Sequence, residues 1–209
     1  MTSEIDVVLF DYGGVLAEEG FTAGLKAIAK VFGIDPDELF NSAVEIIYDC
    51  GYVKGIATAG DFWNEVRRKY PEVTDDDNSL TSEILSRFIL RSGMMGMVRN
   101  LKHNGIRTAI LSDQTEWLYM LDERDSFLHE FSPVLNSFRL GMTKRDPEMF
   151  VTASEKLEAP PSRILFVDDN AGHIKRAESA GFQTHLFFDE KTFRDDLAGR
   201  NLFDASEEN

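Results

Sequence analysis

Val7-Val8-Leu9-Phe10 is an unbroken apolar run that stops at Asp11 and turns on Gly13 and Gly14. A run with no polar alternation fits the buried centre of a parallel sheet, because only a strand covered on both faces dispenses with a polar side. In open sheets of that kind ligands bind just beyond the carboxyl ends of the strands, which is where Asp11 falls. A carboxylate there can attack as a nucleophile, ligate a metal, or do both, while the glycines let backbone amides approach an anion closely. The same residues also suit a plain turn, which Asp ahead of glycine often caps.

A second stretch of the same kind follows much later. Ile164-Leu165-Phe166-Val167 ends at Asp168-Asp169-Asn170, after which Ala171 to Ala180 has a helical pattern with a stop at Gly181. Two strand-end carboxylate sites in one sheet can share a hard divalent cation. Mg²⁺ in particular is usually held by one or two carboxylates together with waters and substrate phosphate.

Between these stretches the spacing predicts helices over Phe21 to Phe32, from Asp35-Pro36-Asp37-Glu38 through Tyr48, over Ala59 to Tyr70 and over Ser79 to Leu90. In the second of these, Asp35 reads as the N-cap and Glu38 as the capping-box acid. Roughly 75 residues is far too long for a structureless connection, so 17–93 is expected to be an inserted helical cap and 1–16 with 94–209 the α/β core. In that core the pattern predicts a helix Gly93 to His103, a strand Arg107 to Leu111 ending at Ser112-Asp113, and a helix from about Thr115 to Glu130. It continues with a short strand near Val134 to Phe138, the loop Gly141-Met142-Thr143-Lys144, a helix opened by Asp146-Pro147-Glu148 with Asp146 as N-cap, and a last strand Thr184 to Phe188. The expected fold is a doubly wound, Rossmann-like parallel sheet.

Composition narrows the partners. The 209 residues carry 37 acidic against 22 basic side chains, a net charge of −15, which lacks the basic stripe that a nucleic-acid backbone requires. No apolar run is long enough to span a bilayer, and the charged start Met1 to Asp6 is unlike a secretory signal. Cys50 is the only cysteine, so an intrachain disulfide and a cysteine-cluster metal site are excluded and cytoplasmic residence is expected. Asp75-Asp76-Asp77 and Glu207-Glu208 read as solvated loop and tail. Arg145 reads as a surface residue beside Lys144, and the Met94-Met95-Met97 cluster as core. His103, His129, His173 and His185 have no ligand-like spacing and read as structural or exposed. Phe62, Trp63 and Tyr52 either line a site or pack the inserted helices, the second being the more common use of such aromatics.

Four segments, Phe10–Leu16, Leu111–Thr115, Gly141–Phe150 and Ile164–Ala177, with a helical insertion after the first, resemble the ordered motifs of the haloacid dehalogenase superfamily across essentially the whole chain. The resemblance implies that Asp11 is the nucleophile and that Ser112 and Lys144 bind the transferred phosphoryl group. It also implies Mg²⁺ held by Asp11, the Gly13 carbonyl and Asp169, with Asp168 behind them. The implied activity is a Mg²⁺-dependent phosphatase that acts on a small phosphorylated metabolite through an aspartyl phosphate, as a monomer or homodimer. Lys144 is expected to be an exposed loop lysine whose loss costs activity and not folding.

The sequence departs from the family pattern twice. Most phosphatases of the family carry a second Asp two residues after the nucleophile, as proton donor and then base; here the position is Gly13, and Tyr12 points the wrong way along the chain to replace it. A sugar-phosphatase branch that includes bacterial glucose-1-phosphate phosphatases shares Asp-X-Gly. Gly13 is explained either by a missing acid or by a backbone shape that other residues strain to adopt. The second departure is Asp113 in place of a common Asn, where it either contacts a substrate hydroxyl or stays clear of the phosphate. Two other functions remain. One is a 2-haloacid dehalogenase, against which stands the lack of any Arg before Arg67. The other is a slow or non-catalytic binding module, against which stands the retention of Asp11, Lys144 and Asp169.

Overall fold

The computed structural model describes residues 5–202, so the acidic pair Glu207-Glu208 lies outside the described residues. Five parallel strands form one sheet in the order β3-β2-β1-β4-β5, with β1 Val7–Phe10, β2 Arg107–Ser112, β3 Val134–Asn136, β4 Ile164–Asp168 and β5 Gln183–Leu186. β1 lies in the middle, its Phe10 in register with Ile110 of β2 and Val167 of β4, and every residue of β1 is fully buried. The period of two along each strand divides its side chains between the two faces.

Val8, Phe10, Ile110, Leu165 and Val167 face one apolar cluster; Val7, Leu9, Ala109, Leu111, Ile164 and Phe166 face another. The first face is covered by α5 (Ser92–His103), α6 (Trp117–Asp125) and α10 (Glu190–Gly199), the second by α8 (Glu148–Leu157) and α9 (Ala171–Ser179). This is the doubly wound arrangement, with the sequence order reversing at β1.

Four helices stand between β1 and α5: α1 (Gly20–Phe32), α2 (Pro36–Asp49), α3 (Ala59–Lys69) and α4 (Asp77–Arg87). Asp35 caps α2 by accepting from the amides of Asp37 and Glu38, as its pattern predicts. The reciprocal capping-box bond is not made there, because Glu38 accepts from the Tyr70 hydroxyl at 3.2 Å. The full box is at Thr58 and Asp61, opening α3. Phe62 and Trp63 are fully buried with ring centroids 4.7 Å apart, and Tyr52 packs 5.9 Å from Phe62, so these aromatics pack the inserted helices. Their apolar cluster is continuous with Phe10 and Met94.

The structure corrects three local expectations and adds one element. The Thr115 to Glu130 helix ends at Asp125, where Ser126 turns left-handed and the Asp122 carboxylate accepts from the amides of Phe127 and Leu128. The strand near Val134 stops at Asn136, whose side chain caps the short α7 (Ser137–Leu140). Asp146 is not the N-cap of α8, which starts after Pro147; its carboxylate instead accepts from the Thr143 amide at 2.9 Å. Helix α10, capped by Asp189, is additional to the elements expected from sequence.

Candidate active site

Asp11 follows the last residue of β1, and its amide donates to the Val167 carbonyl at 2.9 Å, so the sheet's own hydrogen bonding fixes its position. Ser112 ends β2 and donates from Oγ to Asp11 Oδ1 at 2.9 Å, an oxygen that also accepts from the Tyr12 amide at 2.7 Å. Asp168 ends β4. Lys144, from the loop after α7, lies between the two carboxylates with Nζ 2.7 Å from Asp11 Oδ2 and 2.7 Å from Asp168 Oδ2. Its side chain is 1% exposed, so the expectation of an exposed loop lysine is wrong: two buried carboxylates draw the ammonium inward.

The electrostatics follow from this burial. Loss of hydration raises Asp11 to about 8 against the pull of Lys144, with Asp168 and Asp169 adding to the rise. Burial would raise Asp168 too, but Lys144 and His173 hold it at about 2. Lys144 itself is raised, since the attraction of Asp11 and Asp168 outweighs its own desolvation. His173 is therefore more than a structural or exposed histidine: Nδ1 lies 3.1 Å from Asp168 Oδ2. The signal in the sequence was Asn170, which caps α9 and turns the helix's first residues back over the strand end.

Gly14, with φ +79°, is the glycine that the backbone demands; a Cβ there would lie 2.1 Å from Asp169 Oδ2. Gly13 has no such constraint. A Cβ on it would meet Phe88 Cε1 at 3.3 Å, Glu19 Oε1 at 3.7 Å and Gln114 Nε2 at 3.8 Å. The backbone explanation thus belongs to Gly14, and Gly13 is left with the missing-acid explanation.

Asp113 has both oxygens engaged: the Lys144 amide donates to Oδ1 at 2.9 Å and the Tyr48 hydroxyl to Oδ2 at 2.9 Å. Arg145 is exposed, as expected, but its guanidinium lies 3.4 Å over the Tyr48 ring. Asp11, Gly13, Ser112, Asp113, Lys144, Arg145, Asp169 and His173 border a cleft of about 710 Å³, closed on the helical side by Phe21, Phe40, Val44, Ile47 and Tyr48, with Asp168 buried behind them.

Asp11, Asp168 and Asp169 place three carboxylates around a single ammonium, an excess of negative charge that suits a cation. Oxygens of Asp11 and Asp168 and a nitrogen of His173 lie within 4.8 Å of one another, yet Lys144 already bridges that pair. Asp169, pressed over Gly14, makes no ion pair among the described residues. Its acidity is weakened by partial loss of hydration and by Asp168. A divalent ion held by Asp11 and Asp169 would offset both effects, so the donor set fits Mg²⁺.

A family model for haloacid dehalogenase-like hydrolases matches residues 5–181, and the chain belongs to that family. Among characterised proteins it is 28% identical over 194 residues to Acyl-CoA dehydrogenase family member 10 of Mus musculus, a match that covers 85% of this chain and 17% of that protein. It is 26% identical over 204 residues to Bifunctional epoxide hydrolase 2 of Rattus norvegicus, covering 88% and 36%. The chain thus spans well under half the length of either relative. In fold it is similar to a HAD family enzyme of Bacteroides thetaiotaomicron, with a TM-score of 0.70 at 21% identity over 87% of this chain and 92% of that one. That enzyme is also known in complex with magnesium and inorganic phosphate, a structure with a TM-score of 0.66 at 20% identity covering 87% and 93%. The L-2-haloacid dehalogenase of Xanthobacter autotrophicus with chloropropionic acid covalently bound gives a TM-score of 0.66 at 15% identity over 96% and 85%. No helix among the described residues is long and apolar enough to cross a membrane.

Proposed function

We propose that the protein is a Mg²⁺-dependent phosphomonoesterase that hydrolyses a small phosphorylated metabolite, sugar phosphates among the candidates, in the cytoplasm. The observation that carries this reading is the Lys144 ammonium held 2.7 Å from Asp11 Oδ2 beside the unpaired Asp169. It combines a nucleophile, a fixed positive charge and a cation site at one strand end. Asp11 attacks phosphorus as the carboxylate, a form that a bound cation would favour; the bond to the leaving oxygen breaks, that oxygen takes its proton from water because Gly13 supplies no acid, and the aspartyl phosphate formed is then hydrolysed by water. Ser112, now a donor to Asp11, is placed to donate to a phosphoryl oxygen instead, and Lys144 neutralises charge where it concentrates. Asp11, Asp169 and the Gly13 carbonyl would hold Mg²⁺, which supplies charge neutralisation and orientation when bound. Helices α1–α4, within the inserted cap 17–93, are read as a cover that selects the leaving group.

The test is phosphate release from a panel of phosphomonoesters. We expect turnover that requires Mg²⁺, is lost in EDTA and falls at least about a thousandfold in Asp11→Asn, which keeps the shape and removes the nucleophile. Full activity in EDTA would overturn the metal dependence, and Asp11-dependent chloride release from 2-chloropropionate without phosphate release would favour dehalogenation. Absence of both activities with retained phosphate binding would favour the binding module.

A further inference from the structure

We propose that Arg145 reads a second anionic group, carboxylate or phosphate, on the leaving-group side of the substrate. The proposal rests on the phosphatase reading for where the phosphoryl end sits, and it deepens that reading by naming the substrate class. In a chain with 37 acidic residues, most arginines find a carboxylate, as Arg67, Arg91, Arg124 and Arg163 do. Arg145 does not. Among the described residues its guanidinium makes no ion pair or hydrogen bond, although acids lie close by: Asp146 is taken by Lys54 at 2.9 Å and by the Thr143 amide, and Asp113 by Tyr48 and the Lys144 amide.

The unpaired guanidinium is nevertheless held. It stacks 3.4 Å over the Tyr48 ring, and that ring is pinned by its hydroxyl to Asp113 at 2.9 Å. A stacked guanidinium keeps its edge free, and the edge carries the donors that match a carboxylate or phosphate in fork geometry. Arg145 borders the same cleft as Asp11 and Lys144, with the apolar Phe40, Val44 and Ile47 alongside and Arg176 of α9 as another guanidinium without an ion pair among the described residues. An organic body against the apolar wall, phosphoryl group at Asp11 and second anion at Arg145, uses the charged and the apolar sides of this lining together. A neutral leaving group would leave the guanidinium without a partner.

The test is calorimetric binding to the full chain with Mg²⁺, using phosphonoacetate, phosphonopropionate and phosphonobutyrate, each against the alkylphosphonate of equal length. These probes need no turnover. At least one phosphonocarboxylate should bind about tenfold or more tightly than the alkylphosphonate that lacks the carboxylate, as expected for a charge-assisted pair. That ratio should fall to about one in Arg145→Met, which keeps the stem, and be partly kept in Arg145→Lys. Tyr48→Leu, which removes the platform and leaves the charge, should lower it as well. A ratio near one in the unaltered protein, or one that survives Arg145→Met, overturns the proposal while leaving the phosphatase reading intact. Failure of every phosphonate to bind removes both.

Discussion

Gly13 and Gly14 are neighbours with opposite requirements. Gly14→Ala places a methyl group against the Asp169 carboxylate in a left-handed backbone, a conformation that costs about 1–2 kcal/mol outside glycine. We expect Gly14→Ala to lose Mg²⁺ binding, measured by calorimetry, and Gly13→Ala, whose one tight contact is Phe88, to keep it. Lys144→Ala tests the buried ammonium. Removing one partner of a buried ion pair costs about 3–5 kcal/mol, so the variant should unfold at lower urea as well as lose activity. The sign with pH is defined. Asp168 is depressed to about 2, so the stability it contributes is present above the ordinary carboxylate range and fades as pH falls towards that value. Without Lys144 its value rises, and the deficit of the variant should be largest at neutral pH and shrink in mild acid. Equal urea midpoints for both proteins at neutral pH would contradict this. Strand-end position made Asp11, Ser112, Asp168 and Asp169 legible in the sequence, since it follows from hydrophobic pattern. The inward turn of Lys144 was not, because it depends on carboxylates of Asp11 and Asp168 from segments distant in sequence, whereas the approach of His173 to nearby Asp168 had its only local signal in the Asn170 cap.

The elements that the sequence declared most clearly are those whose ends are set locally. Asp35-Pro36 opens α2 and the apolar runs mark β1 and β4 without reference to the rest of the chain. Where an end depends on a distant partner, as with Glu38 turning to Tyr70, the local rule fails. The crossing of α1 with α4 is of the second kind. A Cβ on Gly20 would lie 2.4 Å from Phe88 Cδ2, and one on Gly24 2.6 Å from Ile84 Cα, so two glycines one turn apart let the helices meet backbone to backbone. Alanine is the better helix former by about 1 kcal/mol, which by itself favours Gly24→Ala. Overpacking of a tight contact costs about 1–3 kcal/mol and acts on backbone here, so we expect net destabilisation in thermal unfolding. A raised melting temperature would mean that the crossing can relax.

At the scale of the whole molecule, charge and catalysis oppose one another. A net charge of −15 repels an anionic substrate until it reaches the local field of Lys144 and Arg145. Salt screens the distant field more than the buried pair, so kcat/KM for an anionic phosphomonoester should rise with moderate ionic strength before it falls. A monotonic fall from the lowest salt would show that attraction at the cleft reaches far into solvent. The same scale explains what sequence could not supply: which wall of the cleft is apolar, and that Arg145 is left without an ion pair beside it, emerge only when α2 is laid against the loop after α7.

The chain's lone thiol offers a use of a different kind. Cys50 closes α2 two residues after Tyr48, and burial raises its pKa, so a fluorophore attached under alkaline conditions would mark one defined place on the helix that meets Asp113. Because no other thiol competes, the unmutated protein can be labelled once and watched. A change of emission on mixing with ligand would report on the surroundings of this helix end, separately from any chemistry at Asp11.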